Sequence, residues 1–305
     1  MEFLIGGAAT MAASVFTNPL EVAKTRMQLQ GELKAKGQYT VHYKNPLHAV
    51  YTIARVDGIA ALQNGLVPAL WQQLFRNGIR LGIYQTLYTH GLTTDENGKK
   101  IFWKTMAASC FGAVCGASIS SPFFMIKTRI QAQSSHIAVG YQHKHAGMMS
   151  ALYEVFKQNG IKGLYQGVGA AIPRAAFGGT AQVTTFAMTK DWMNEKNLYA
   201  KHPLFQSFLA SMLSGIIVCL VMQPFDVVST RLYNQGVDAH GRGLLYINFF
   251  DCCKKIWKSE GLNGFYKGTG LSYFRLAPHT VLCLVFWDEL NKLHEKYKTK
   301  NLNII

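Results

Sequence analysis

Four arginines lie inside long apolar stretches of this 305-residue chain, and their chemistry suits anions. They are Arg76, Arg80, Arg174 and Arg275. A guanidinium stays charged at physiological pH, and its planar fork matches a carboxylate or phosphate with two parallel hydrogen bonds. Holding one at membrane depth costs about 2.5–3.5 kcal/mol. That cost favours a functional cation, although snorkelling of the side chain to the membrane interface is the structural alternative.

The arginines follow a four-residue spacing counted from a recurring glycine. Steps of four keep residues on one broad helix face. The candidate ligand-binding residues on these faces are Gln72, Arg76, Arg80, Arg174, Gln182, Arg275 and His279. Arg174 and Arg275 come from different segments, so we expect them to face each other and to hold two anionic groups of one molecule. His279 could titrate near neutral pH, but a lone histidine is more often a packing or hydrogen-bonding residue.

Composition limits the kinds of protein that this chain can be. Charged residues make up 15% of the chain, against about 25% in an average globular protein, and the net charge is +15. The basic residues are spread out and no nucleic-acid-binding motif is present, so nucleic acid is not an expected partner. The six cysteines lack metal-ligand spacing, and we expect neither a metal nor a cofactor. The chain opens directly into an apolar stretch, which predicts no cleaved leader.

Long uncharged stretches predict membrane-spanning helices, because about 20 apolar residues cross a bilayer. They are residues 3–20, 105–126 and 203–225. Three further apolar stretches are interrupted by charges, at residues 66–94, 168–193 and 269–293. Mean hydropathy is only +0.06, so hydropathy alone leaves both three spans and six spans open.

A threefold internal repeat favours six spans. The uncharged stretches end alike, in NPLEVAKTRMQLQ from Asn18, SPFFMIKTRIQAQ from Ser121 and QPFDVVSTRLYNQ from Gln223. A pair of glycines follows each motif, namely Gly58 and Gly65, Gly160 and Gly167, and Gly261 and Gly268. The chain therefore divides into repeats of about 100 residues at 1–95, 96–198 and 199–298, with a polar tail at 299–305. Amphipathic segments from Asn45 and Asn248 predict helices lying on the membrane surface.

The repeated pattern P-x-[DE]-x-x-[KR]-x-[KR], incomplete in two copies, resembles the signature of the mitochondrial carrier family. The resemblance covers residues 2 to about 298. It implies an all-α membrane protein, a pseudo-threefold barrel of six transmembrane helices with short surface helices on the matrix side. It also implies a transporter of the mitochondrial inner membrane rather than an enzyme, with both termini facing the intermembrane space. One central site would open alternately to each face. We expect a monomer.

The resemblance assigns a gate on the matrix side. Prolines bend the odd-numbered helices, and the acid of one repeat pairs with the base of the next; the prolines are Pro19, Pro122 and Pro224. Here the pattern gives the pairs Glu21–Lys127 and Asp226–Lys24 and a neutral third contact, Phe124–Ser229. We therefore expect two ion pairs. In the family, residues nine positions after the proline can brace these pairs; they are Gln28, Gln131 and Tyr233 here, and that role stays open.

The matching gate on the cytosolic side has few charges. Its residues are Gln85, Tyr88, Lys190 and Asp288. Gln85 could hydrogen-bond to Lys190 and Tyr88 could donate to Asp288, so we expect a weak gate. The resemblance also implies cardiolipin at the glycine pairs, because backbone N–H groups at helix starts attract phosphate. A tight turn alone would equally explain these glycines.

Local sequence narrows the substrate. RLGIY from Arg80 and RLAPHTVL from Arg275 are similar to the dicarboxylate, oxoglutarate and oxaloacetate carriers of the family, and most similar to the oxaloacetate type. This implies antiport of a di- or oxo-carboxylate, with sulfate or a phosphorylated acid still open. Three other hypotheses are a basic membrane-associated enzyme or binding protein, a membrane adaptor of the same fold that does not transport, and a proton leak through the cationic cavity. No nucleophile–base pair or metal cluster in the sequence supports the first. Buried arginines argue against an adaptor.

Overall fold

The computed structural model describes residues 2–34, 38–95, 101–196, 198, 203–238 and 242–302. Helices make up most of this part of the chain. In chain order they are α1 (Glu2–Leu29), α2 (Pro46–Val56), a short 3-10 helix (Ile59–Gln63), α3 (Leu66–Thr89), α4 (Phe102–Ile119), α5 (Ser121–Ala132), α6 (Met148–Leu164), α7 (Val168–Glu195), α8 (Pro203–Asn234), α9 (Phe249–Glu260), α10 (Leu262–Phe265) and α11 (Thr269–Leu302).

Six spans form a closed ring, with α4 and α5 acting as two halves of one span. Going round the ring, α1 packs on α3, α3 on α4, α4 on α7, α7 on α8, α8 on α11, and α11 on α1. Each repeat contributes two neighbouring spans. The predicted all-α barrel of six transmembrane helices in three repeats is thereby confirmed.

Proline shapes the spans that begin each repeat. Pro19 lies inside α1 and Pro224 inside α8. In repeat two the chain breaks before Pro122, which begins α5 at an angle of 59° to α4. Proline lacks the N–H that would continue the hydrogen-bond ladder, and its ring clashes with the preceding turn. The residues just beyond each proline can therefore turn toward the axis of the ring.

Hydropathy alone finds fewer spans than the fold contains. In the described part of the chain one helical segment, Leu209–Asn234, is long and apolar enough by itself, and α4 with α5 passes as a bent pair. The remaining spans carry polar and charged residues, as expected of helices that line an aqueous cavity. Large apolar side chains such as Phe16, Trp103 and Ile217 are exposed on the outside, where lipid would cover them.

A short helix follows the first span of each repeat, namely α2, α6 and α9. Asn45 caps α2 by accepting a hydrogen bond from the His48 N–H, and Asn248 caps α9 in the same way. The predicted surface helices at these two places are confirmed. Each packs an apolar face against the end of the span before it, as Ile53 does on Val22 in repeat one. Equivalent apolar clusters occur in repeats two and three.

Two glycines of α4 allow an unusually close approach to α3. A Cβ atom at Gly116 would lie 2.6 Å from the Arg76 carbonyl oxygen, and one at Gly112 would lie 2.9 Å from that of Arg80. Any side chain at either position would push the helices apart. The glycines thus press the backbone that carries two of the predicted cavity arginines directly against α4.

Candidate functional site

Charged side chains from all three repeats meet where the bent spans converge. Lys127 Nζ lies 2.5 Å from Glu21 Oε2, and Lys24 Nζ lies 2.5 Å from Asp226 Oδ2. All four side chains are largely buried. These are the two pairs that the repeat pattern predicts. The cavity among the side chains at this end is about 40 Å³, far below the roughly 300–1,000 Å³ of a ligand pocket, so the end is closed to an organic acid.

Each of the two arginines predicted to bind substrate forms an ion pair with one of these same two acids. Arg275 Nη1 donates to Glu21 Oε1 over 2.7 Å, and Arg174 Nε donates to Asp226 Oδ1. Each guanidinium is thus paired with a carboxylate, because an unpaired guanidinium is costly in a desolvated ring. That the two arginines together hold one molecule stays a prediction. Arg275 Nε is buried without a hydrogen-bond partner among the described residues, which leaves one donor unused.

The third contact of the ring is made by aromatic groups. Ser229 is buried and donates to the Ala170 carbonyl rather than turning toward Phe124. The Phe124 ring instead lies beside Lys127 and Arg174, at 5.8 and 5.1 Å from its centroid. In place of the predicted neutral pair, the Phe124 ring lies between two cations. Cations are attracted to the negative face of an aromatic ring.

The remaining predicted ligand-binding residues line the spans above this end. Gln72 is buried on α3, and Arg76 and Arg80 are half-buried on the same helix. His279 on α11 lies 3.3 Å from Thr17 Oγ1 and 3.6 Å from Cys283 Sγ. The side chain of Gln182 lies outside the described residues.

The predicted bracing residues form hydrogen bonds between repeats. Gln131 Oε1 accepts from Thr25 over 2.9 Å, and Gln28 Oε1 accepts from Thr230 over 2.9 Å. Tyr233 differs, because its hydroxyl bonds to Ser121 Oγ at 2.8 Å and its ring packs edge-on against Phe124. The sequence analysis missed both threonines. The signal was present, since a threonine precedes the arginine in all three KTR or STR motifs.

Comparison with known proteins agrees with this geometry. The mitochondrial carrier protein family profile matches residues 1–93, 98–197 and 200–298. The chain belongs to the mitochondrial carrier family. Solute carrier family 25 member 35 of Homo sapiens is 48% identical, over 96% of this chain and 98% of the relative.

Other relatives of this carrier have names that mention a solute. The mitochondrial oxaloacetate transport protein of Schizosaccharomyces pombe is 40% identical, over 97% of the carrier and 91% of the relative. Mitochondrial citrate transporter E of Aspergillus niger is 35% identical, over 99% and 96%. The resemblance inferred from the motifs is confirmed, and the chain is a transport protein of the mitochondrial inner membrane.

The residues predicted to form the cytosolic gate lie on α3, α7 and α11. Gln85 and Tyr88 are exposed on α3, and Lys190 is half-buried on α7. The side chain of Asp288 lies outside the described residues. Its contact with Tyr88, and that of Gln85 with Lys190, stay predictions.

A second set of buried ion pairs, missed in the sequence, fastens surface segments to the spans. Arg26 donates to Asp57, and Arg231 binds Glu260 through two nitrogens at 2.5 and 2.9 Å. Burial alone would raise the pKa of Asp57, but hydrogen bonds from Arg26 and Ser134 lower it overall. Both acids come immediately before a glycine of the paired-glycine motif. This position in the sequence could have identified the two acids as partners of the buried arginines.

Repeat two lacks this pair. Asn159 occupies the position of the acid, and the equivalent Arg129 is buried. Arg129 donates to the Tyr233 carbonyl over 3.1 Å and to Gln166 Oε1 over 3.3 Å. Both of these partners are neutral.

All six paired glycines have positive φ angles. Gly65 and Gly167 come directly before α3 and α7, with φ of 73° and 84°. The other four, with φ between 60° and 88°, are Gly58, Gly160, Gly261 and Gly268. L-residues rarely adopt this conformation, so a tight turn requires glycine here whether or not lipid binds.

Proposed function

We propose that this carrier exchanges small dicarboxylates or oxo-carboxylates, such as oxaloacetate or malate, across the mitochondrial inner membrane. The observation that carries the proposal is the position of Arg174 and Arg275, one on each of the two acids that close the matrix side. Two guanidinium groups on different spans suit a molecule with two carboxylates. The names of the oxaloacetate transport relatives support this substrate class. Sulfate and phosphorylated acids share the required charge and belong in the test.

Alternating access would follow from opening the ion pairs at the matrix side. A substrate anion that binds Arg174 and Arg275 draws these two cations away from Glu21 and Asp226. The ring of ion pairs at the closed end is thereby weakened, while the anion keeps the charge of the cavity neutralised. Without an anion the arginines would be left uncompensated in a partly dry cavity, which is unfavourable. We therefore expect exchange against a counter-anion, because the return step needs a neutralised site as much as the outward step does.

Uptake into cardiolipin-containing proteoliposomes tests this function. Labelled malate, oxaloacetate, oxoglutarate, phosphoenolpyruvate, sulfate and phosphate are offered with and without internal counter-anion. Arg174→Ala should reduce uptake at least about 30-fold, the loss of one charge-assisted contact of about 2 kcal/mol. Arg55→Ala, at an exposed arginine on α2, is the matched control and should stay within about twofold.

Absence of uptake for every anion, with protein that is folded and binds lipid, would overturn the transport proposal and favour the adaptor. Proton conductance that depends on an added organic anion and on Arg174 would support the proton-leak activity instead. The organic anion would then carry the proton through the same cationic site.

Three further properties are part of the proposal. Both termini face the intermembrane space. The ring topology, with surface helices on one side, is consistent with this orientation. Cardiolipin phosphates bind at the glycine-led helix starts, because the N–H groups of a first helical turn favour anions. The carrier works as a monomer, since one ring of six spans encloses the whole site.

A further inference from the structure

Phe124 lies at the position that holds an acid in the other two repeats. It is two residues after Pro122, as Glu21 is after Pro19 and Asp226 after Pro224. We propose that Phe124 determines the charge of the anion that the carrier selects, by closing the ring of residues at the matrix end without neutralising it. The inference rests on the proposed transport of organic anions and concerns the same site.

The Phe124 ring joins two separate ionic groups. One group is Glu21 with Lys127 and Arg275, and the other is Asp226 with Lys24 and Arg174. The ring contacts one cation of each, Lys127 at 5.8 Å and Arg174 at 5.1 Å. An aromatic face attracts cations through its quadrupole but carries no charge. Phe124 therefore completes the closure while both cations keep their full charge.

Packing holds the ring in place. The Tyr233 ring meets it edge-on with centroids 4.9 Å apart, and the Tyr233 hydroxyl bonds to Ser121. Phe124 also packs against the apolar cluster that includes Met125 and Val155. The orientation of the ring toward the two cations is thus fixed by neighbours that do not depend on a bound anion.

The charge balance of the six ionic side chains follows from this arrangement. Lys24, Lys127, Arg174 and Arg275 carry four positive charges, and Glu21 and Asp226 carry two negative ones. These six side chains leave a surplus of two positive charges, to which Arg76 and Arg80 on α3 add, so the site favours an anion that carries more than one charge. An acid at position 124 would reduce the surplus by one and would pair with Arg174, the nearer of the two cations beside the ring.

A carboxylate at position 124 should accordingly shift the preference from dianions toward monoanions. Asparagine has the same shape as aspartate without the charge, so Phe124→Asp and Phe124→Asn form a matched pair. Malate and lactate form a matched pair of probes, because malate adds a second carboxylate to a similar hydroxy acid. Neither comparison depends on knowing the natural substrate.

The experiment measures ligand-dependent thermal stabilisation of the purified full-length carrier at neutral pH, and from it an apparent Kd for malate and for lactate. In Phe124→Asp the preference for malate over lactate should fall about tenfold relative to the unchanged carrier. In Phe124→Asn the preference should change by less than about threefold. A purely structural role of the ring would affect both variants equally.

Two results would overturn the inference. One is an equal change of preference in both variants, and the other is a Phe124→Asp variant that keeps the original preference. Failure of the proposed function looks different: the unchanged carrier would be stabilised by malate but would not transport any anion into liposomes. In that case the charge selection by Phe124 would still be supported. Absence of stabilisation by either probe overturns both.

Discussion

Arg275 donates to Glu21 over 2.7 Å, although 254 residues separate them, and Lys127 binds the other oxygen of the same carboxylate at 2.5 Å. A residue proposed to bind substrate and a residue proposed to close the matrix side therefore share one acid. An anion on Arg275 would compete directly with Glu21. If both proposed roles hold, a single carboxylate would couple substrate binding to release of the closure.

Charge reversal should affect the two sides of the carrier unequally. Glu21→Lys places a third cation beside Lys127 and Arg275 with no acid, so we expect initial uptake to fall at least about tenfold. Asp288→Lys should change uptake by less than about threefold, because its predicted partner is a single hydroxyl. Initial rates in proteoliposomes measure both. Equal losses would show that the cytosolic gate is as strong as the matrix gate.

The inter-repeat threonine bonds should stabilise the closed matrix side. Thr25→Val removes the donor to Gln131 Oε1 and leaves a buried acceptor unsatisfied, which should cost about 1–2 kcal/mol of stability. Thr128→Val is the matched control, because Thr128 bonds to the Phe124 carbonyl within its own helix. Thermal unfolding of the purified carrier measures both. A control that is destabilised as much as Thr25→Val would contradict the role of the contact between repeats.

Acid should destabilise the carrier through His143, in the loop after α5. Burial, followed by the charge of Arg129, lowers the pKa of His143 to about 3, and its Nε2 lies 2.9 Å from the Asn234 carbonyl. The unfolded chain, with a histidine pKa of about 6.5, binds the proton first. Stability is therefore fully present above about pH 6.5 and falls as the pH drops, by up to about 1.4 kcal/mol per unit.

Unfolding between pH 7 and pH 4.5 tests this dependence. His143→Gln should remove most of the slope, because no imidazole remains to titrate at this position. His136→Gln, at an exposed histidine in the same loop, should leave the slope unchanged. Parallel slopes in all three proteins would assign the acid sensitivity to other groups.

Supplying the missing acid of repeat two should stabilise the carrier. Asn159→Asp gives Arg129 a carboxylate at the position where repeats one and three have Asp57 and Glu260, and we expect a gain of about 1 kcal/mol. The opposite change, Asp57→Asn, leaves Arg26 buried without its acid and should cost about 3 kcal/mol. The unfolding midpoint measures both changes. A lower midpoint for Asn159→Asp would mean that Arg129 already has sufficient neutral partners.

Repeat symmetry explains how much of the site the sequence predicts. The pairs Glu21–Lys127 and Lys24–Asp226 depend only on where the bent spans place each motif, and three copies of one motif fix those places. The contacts of Arg174 and Arg275 with the same acids depend on side-chain length and on competition between charged groups in a closed space. The spacing of motifs in the sequence predicts neither. Tyr233 departs from the bracing pattern for a similar reason, because its ring fills the space beside Phe124.

The glycines at which α4 meets α3 have a consequence for movement during transport. With Gly112 and Gly116 against the Arg80 and Arg76 carbonyls, the two helices lie in backbone contact across the boundary between repeats one and two. We expect this contact to persist during transport, because parting the helices here would expose the backbone of both. Arg76 and Arg80 belong to repeat one in the sequence, but their backbone packs on the first helix of repeat two. The repeat to which a residue belongs therefore does not decide which span it packs against.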